Sequence, residues 1–251
     1  MRKIFISLLT AITIVNADFI GFSMGAGLWQ QQIGGYVKSG DDINYFNKED
    51  GDSNTGNLKL KDKTHPYVWL KVIHPVPLLP NVTAKYTQYH TTGKNGNVVG
   101  TLEIFGQKVK GNGTVDTDLT INSYDITLFY ELKFLFEVEA GLGVNVLDGK
   151  TELRGSVNSS ATWIVPIPYL YARVETPKIM GISIEGEGKF LDVGDAFYHD
   201  YQAGVKYHIG TPLIDLSITG GYKYQEIYGE DGDNETDMKF EGAYVEVGAR
   251  W

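Results

Sequence analysis

Taken two residues at a time, much of the chain splits into an apolar face and a polar or glycine face. Phe22, Met24, Ala26 and Leu28 alternate with Gly21, Ser23, Gly25 and Gly27. Phe136, Val138, Ala140, Leu142 and Val144 alternate with Glu137, Glu139, Gly141, Gly143 and Asn145. The same period runs through 68–72, 82–87, 124–132, 169–175, 182–187, 200–209, 214–223 and 243–251, which makes ten segments in all. A period of two is the mark of a strand with unlike environments on its two sides. The chain therefore reads as all-β.

The connections alternate in kind. Long polar ones fall at about 39–64, 91–114, 148–160, 191–197 and 229–237, and short ones at 74–81, 132–135, 176–181 and 209–213. In an up-and-down meander this gathers the long connections at one end and the tight turns at the other, the asymmetry of outer-membrane barrels. The expected fold is a closed antiparallel up-and-down transmembrane β-barrel, with ten strands preferred over eight or twelve. The run from Val98 to Val109 is expected as a hairpin projecting beyond the membrane. A soluble ligand-binding barrel is the structural alternative, with the two faces assigned in reverse.

Composition narrows the picture. The 251 residues include no Cys, which excludes disulfide scaffolds, Cys-ligated metals and thiol nucleophiles. A formal charge of -9 argues against a nucleic-acid partner. Arg2 and Lys3, the apolar run Ile4 to Val15 and the small residues ending at Ala17 have the form of a signal peptide. Residues 1–17 are thus expected as a leader and 18–251 as the barrel. At the other end Val245, Val247, Ala249 and Trp251 put an apolar residue at every second position, finishing on an aromatic. This resembles the terminal signal by which outer-membrane barrels are recognised for assembly, with Trp where Phe is usual.

Local patterns spread over 18–251 resemble a family of small, mostly uncharacterised bacterial outer-membrane β-barrel proteins akin to the outer-membrane protein W type. They are Gly21-Phe22 to Gly27 with Trp29, the turn of His74, Pro75, Pro77, Pro80 and Asn81, the strand of Asp125, Tyr130 and Glu131, Tyr171-Ala172-Arg173, the group Tyr201, Ala203-Gly204 and Tyr207, and the terminal Val245 to Trp251. The resemblance implies a fold and a location in the bacterial outer membrane. It implies no catalytic residues.

With the apolar set facing lipid, the other face collects Lys71, Lys85, Arg173, Lys189, Lys206, Lys223 and Arg250. It also collects Asp125, Glu131, Glu137, Glu139, Glu175, Glu185, Glu187, Asp200, Asp215 and Glu246. Seven bases and ten acids inside one narrow barrel form either an ion-pair network that fills the lumen or a narrow polar path for small solutes. The expected function is accordingly an integral outer-membrane protein, structural or a narrow channel. The alternatives are an enzyme at the external rim, acting as a protease or on lipid A, and a loop-mediated adhesion or binding module. His199-Asp200 is the only adjacent His–Asp pair, and strand neighbours face opposite ways, so no catalytic activity is expected. No cofactor or metal is expected either; the acidic runs at 49–52 and 230–237 lack the spacing of a calcium loop. The expected partners are outer-membrane lipid, lipopolysaccharide and the barrel-assembly machinery, with the protein as a monomer.

Overall fold

The structure, a computed structural model, describes residues 20–47, 55–76, 78–105, 107–156, 158–211 and 213–251. The expected leader, the acidic run at 49–52 and Pro77 lie outside these residues. In chain order the strands are β1 (Gly21–Ser39), β2 (Asp42–Tyr45), β3 (Gly56–Asn57), β4 (Lys63–Ile73), β5 (Asn81–Val98), β6 (Thr101–Ile104), β7 (Gln107–Lys110), β8 (Gly113–Lys133), β9 (Glu137–Gly155), β10 (Ser159–Glu175), β11 (Ile182–Val193), β12 (Ala196–Gly210), β13 (Asp215–Asp231) and β14 (Asn234–Arg250). No helix occurs among the described residues.

Antiparallel ladders run from β1 through β4, β5, β8, β9, β10, β11, β12, β13 and β14, and the β14–β1 ladder closes the ring. Closure leaves no open edge, so the backbone amides of a spanning segment find partners within the protein. The expected count of ten is corrected: the sheet holds twelve strands. The short β2 and β3 are inserted where a loop was expected, and β3 runs parallel to β2. A row of paired residues followed once round, from Phe22 through Val72, Val82, Leu128, Leu142, Leu170, Phe190, His199, Glu226 and Lys239, returns to β1 at Gly34, twelve residues further on. A stagger of that size goes with strands tilted by about 40°.

Three of the expected long loops are also corrected. The connections at 148–160, 191–197 and 229–237 are tight hairpin tips on strands that run well past the lipid, such as β8 at 21 residues and β9 at 19. Their upper halves escaped detection because the alternation changes phase. Low on β9, Glu139 points in and Leu142 points out; higher up, Leu147 and Leu153 point in while Asp148 and Lys150 point out. The same reversal separates outward Leu28 from inward Ile33 and Val37, outward Leu170 from inward Trp163, and outward Val245 from inward Phe240 and Met238.

The outer surface thus carries an apolar belt about nine residues high, or roughly 23 Å at that tilt, close to the band of a membrane barrel. Aromatics bound it. Tyr86 opposite Tyr124 and Tyr201 opposite Tyr224 mark its upper margin. Phe22 against Trp251, with ring centres 5.6 Å apart, marks its lower margin with Tyr130 and Tyr207. Above the belt the barrel is built like a soluble protein. Trp29, Leu119, Ile121, Leu147, Trp163, Ile227, Met238 and Phe240 fill its interior as a mainly apolar core.

The loops complete that core. Phe46, Leu58 and Leu60 are fully buried in it. Backbone of Leu58 lies so near Gly93 that a Cβ there would sit 1.9 Å from the Leu58 oxygen, so this close approach requires glycine. The β6–β7 hairpin spans 101–110, close to the expected 98–109 run, but lies over the mouth, burying Leu102 and Ile104. Its tip residue Phe105 packs against Trp163 with the rings tilted and their centres 4.8 Å apart, above the β11–β12 hairpin, where the wall is lowest.

The belt's upper edge yields a test on one strand. Leu142→Lys, within the belt, is expected to cost roughly 2–4 kcal/mol, while Asp148→Lys, above it, stays within about 0.5 kcal/mol. Urea unfolding of the protein in lipid vesicles measures both.

Candidate functional site

Within the belt the lumen is lined by the charged residues of the polar face. Small inward residues make room for large ones on the neighbouring strand. Trp69 covers Gly25, Tyr67 covers Gly27, Tyr169 covers Gly143 and Tyr244 covers Gly221, each so close that a Cβ on the glycine would lie under 3.0 Å from the ring. These rings narrow the bore and bring opposing charges into contact.

The lowest layer is organised by Arg173. Its guanidinium reaches Glu139 at 3.0 Å, Glu185 at 2.8 Å and Glu137 at 3.4 Å, and also contacts Glu175. Glu139 is wholly buried and takes further bonds from Lys71 at 2.6 Å and the Tyr171 hydroxyl at 2.7 Å. Lys206 joins Glu185 at 2.5 Å to Glu175 at 3.1 Å. Nearer the short turns, Arg250 lies 3.3 Å from Glu137, Lys133 lies 2.9 Å from Glu131, and Asp215 meets Lys178 and His208.

A second layer lies above. Lys189 donates to Asp125 at 2.8 Å, and the Tyr169 hydroxyl donates to the same carboxylate at 2.8 Å. Lys223 donates to Asp200 at 2.9 Å, and its ammonium sits 4.9 Å from the Trp29 ring. Lys85 lies over Tyr67 at 4.8 Å. Glu187, 3.9 Å from Lys189, shares with Lys85 and Glu246 the wall of a small internal cavity. Most of the residues expected on the inner face are gathered into these two layers, with Arg250 the most exposed of them at the short-turn end.

Neutral partners were not foreseen. Tyr198 accepts from Asn145 and Gln225, both at 3.1 Å, and donates to Asp200 at 3.2 Å; Tyr89 contacts Gln225. These buried groups form a polar lid on the charged layers, beneath the mainly apolar core. The signal for them was present, since Tyr198 and Gln225 alternate with outward His199 and Glu226. His208, which bonds Ser183 at 3.0 Å, was likewise missed as a lumen residue.

Among the described residues, a pair of cavities lies in the belt region. One of about 280 Å³ opens at the short-turn end between Lys71, Arg173, Lys206 and Phe134. The other, about 70 Å³, lies deeper, beside Asp125 and Lys189. Above them the core is filled. The geometry is that of an outer-membrane β-barrel.

On the outer wall His199 stacks between Phe197 and Tyr201 and faces away from Asp200, which is buried in the lumen. His90 lies 2.9 Å from the Thr120 hydroxyl and 3.5 Å from Asp118. High on the wall, burial and a 2.9 Å hydrogen bond to Glu235 push the Tyr36 phenol up to about 12, so it remains a donor at any physiological pH.

No protein-family model matches the chain, and no curated protein matches it. Among solved structures it is similar to the outer membrane protease OmpT from Escherichia coli, at 12% identity, covering 94% of this chain and 97% of that one, with a TM-score of 0.44. It is similar to Ail, the attachment invasion locus protein of Yersinia pestis, at 14% identity over 92% and 99%, with a TM-score of 0.37. It is also similar to the outer membrane protein OprG from Pseudomonas aeruginosa, at 11% identity over 94% and 96%, with a TM-score of 0.34.

Arg173 supplies the test of the network. Arg173→Ala leaves buried carboxylates short of their shared cation and is expected to cost about 3–5 kcal/mol. Arg173→Lys keeps the charge but loses the forked geometry and is expected to fall between that variant and the unmodified protein. The midpoint of urea unfolding, followed by heat-modifiable gel mobility, ranks the three.

Proposed function

We propose that this protein is a closed, structural outer-membrane barrel whose lumen charges fill and register the wall instead of conducting. The observation that carries this reading is the stack along the lumen. Ion pairs occupy the belt, the Tyr89–Tyr198–Gln225 layer covers them, and above it Trp29, Ile121, Leu147, Ile227 and Phe240 fill the bore, with Gln31, Thr117 and Thr151 as separate buried polar groups among them. A solute path needs a line of polar groups from end to end. The alternative from the sequence, a narrow channel for small solutes, requires that core to open.

The rim histidines support no catalytic role in this reading. His199 is held by aromatic stacking, and at His90 the Thr120 hydroxyl and the Asp118 carboxylate both face Nδ1, whereas a catalytic relay needs them on opposite ring nitrogens. The outer leaflet's lipopolysaccharide would lie against the polar outer wall just above Tyr86 and Tyr201. The barrel-assembly machinery would read Val245, Val247, Ala249 and Trp251 on β14, the strand that closes the ring against β1. The protein would work as a monomer, since the ring is complete within one chain.

Planar bilayers decide between the closed and the conducting barrel. The purified protein is expected to show no discrete conductance steps at any applied voltage it survives. Reproducible single-channel steps that change when Lys85 or Asp125 is neutralised would replace this reading with the channel.

A further inference from the structure

The four short turns are not surfaced as water-facing turns are. Their tips carry Leu78, Phe134, Leu135, Ile179, Met180 and Leu213, all strongly exposed: Met180 at 93%, Leu78 at 86% and Leu213 at 85%. Large apolar side chains clustered in this way mark an interaction surface. They ring the mouth of the larger cavity, which Phe134 and Leu135 help to line.

Two features identify the occupant. The first is continuity. The turn residues adjoin the lower margin of the lipid belt through the exposed side chains of Leu132, Phe136, Ile182 and Trp251. The second is charge. Lys133, Lys178 and Arg250 stand at this end with about half of each side chain exposed, while their acidic partners Glu131, Glu137 and Asp215 are more deeply placed. Apolar wedges with cations set among them suit the boundary between acyl chains and anionic headgroups. The short-turn end of an outer-membrane barrel faces the periplasm.

We propose that the short-turn rim is a lipid-binding surface: its apolar tips insert into the periplasm-facing leaflet, and Lys133, Lys178 and Arg250 engage the phosphates of anionic phospholipid there. The barrel is then anchored by its end as well as by its belt, and the 280 Å³ cavity opens at the level of the headgroups.

The absence of native Cys allows single nitroxide labels to be placed without other changes. Leu78→Cys, Met180→Cys and Leu213→Cys, labelled and folded into mixed vesicles of phosphatidylcholine and phosphatidylglycerol, report depth from their accessibility to oxygen against a water-soluble nickel complex. Heat-modifiable mobility confirms that each variant is folded. All three are expected to resemble Leu142→Cys in the belt and to differ from Asp195→Cys at an external tip. If they are as open to nickel as Asp195→Cys, the rim stands in water, the proposal is overturned, and a periplasmic protein becomes the occupant to seek. The headgroup part is read separately, with spin-labelled lipids. The unmodified protein is expected to prefer phosphatidylglycerol to phosphatidylcholine, by about fivefold for each basic residue engaged. Lys133→Gln, Lys178→Gln and Arg250→Gln together are expected to bring the ratio close to one. No preference in the unmodified protein, or an undiminished one in the triple variant, overturns the role of the three bases.

Discussion

Inside a bilayer no water is available to an unpaired amide, and this shapes everything else in the molecule. An unsatisfied backbone group there costs several kcal/mol. The chain meets this by joining β14 to β1, so that every long strand has two neighbours. Once the ring is closed, each residue has only two places to point. Over the height of the belt, outside means hydrocarbon and inside means a narrow space shut off from bulk water. Lys71, Glu139 and Arg173 must then share one interior, and they are tolerable there only because they meet each other.

Such pairs are weak evidence of net stabilisation. Desolvating a carboxylate and a guanidinium costs about as much as their contact returns, whereas removing one partner is severe. The physical role of the Arg173 network is therefore specificity. A shift of register by one residue would turn Glu139, Glu185 and Lys206 toward lipid and bring Leu142, Ile184 and Val205 inward. Belt and lumen thus enforce the same register from opposite sides. The aromatic-over-glycine pairs, such as Tyr169 on Gly143, set how near the two sides of the lumen come.

The most informative disagreement between sequence and structure concerns the upper half of the wall. A segment such as Asp148 to Ser160 is polar, with Leu153 and Val157 its only apolar residues, and the run of outward apolar residues ends there. Yet β9 continues to Gly155 and β10 resumes at Ser159. The solvent outside has changed from lipid to water, so the apolar residues have moved to the inner face. Leu147, Leu153 and Trp163 were in plain view, but on the opposite phase from the one being followed. The ion-paired lumen was legible because lipid allows charge on only one face. Tyr198 and Gln225 lie just above the segments with outward apolar residues, so they fell outside that pattern although their alternation with His199 and Glu226 carries the same signal.

Sequence alone determined which residues share a face, strand by strand, because side-chain direction along a strand has a period of two whatever surrounds it. From that followed the membrane belt, the inward charges and the short turns. Only the tertiary structure decided where along each strand the solvent changes and which charge meets which across the lumen. It also decided that the first loops fold inward to complete a core, and that the apolar tips of four separate turns converge on one rim. These depend on stagger and closure, which bring together residues far apart in the chain and leave no trace in any one segment.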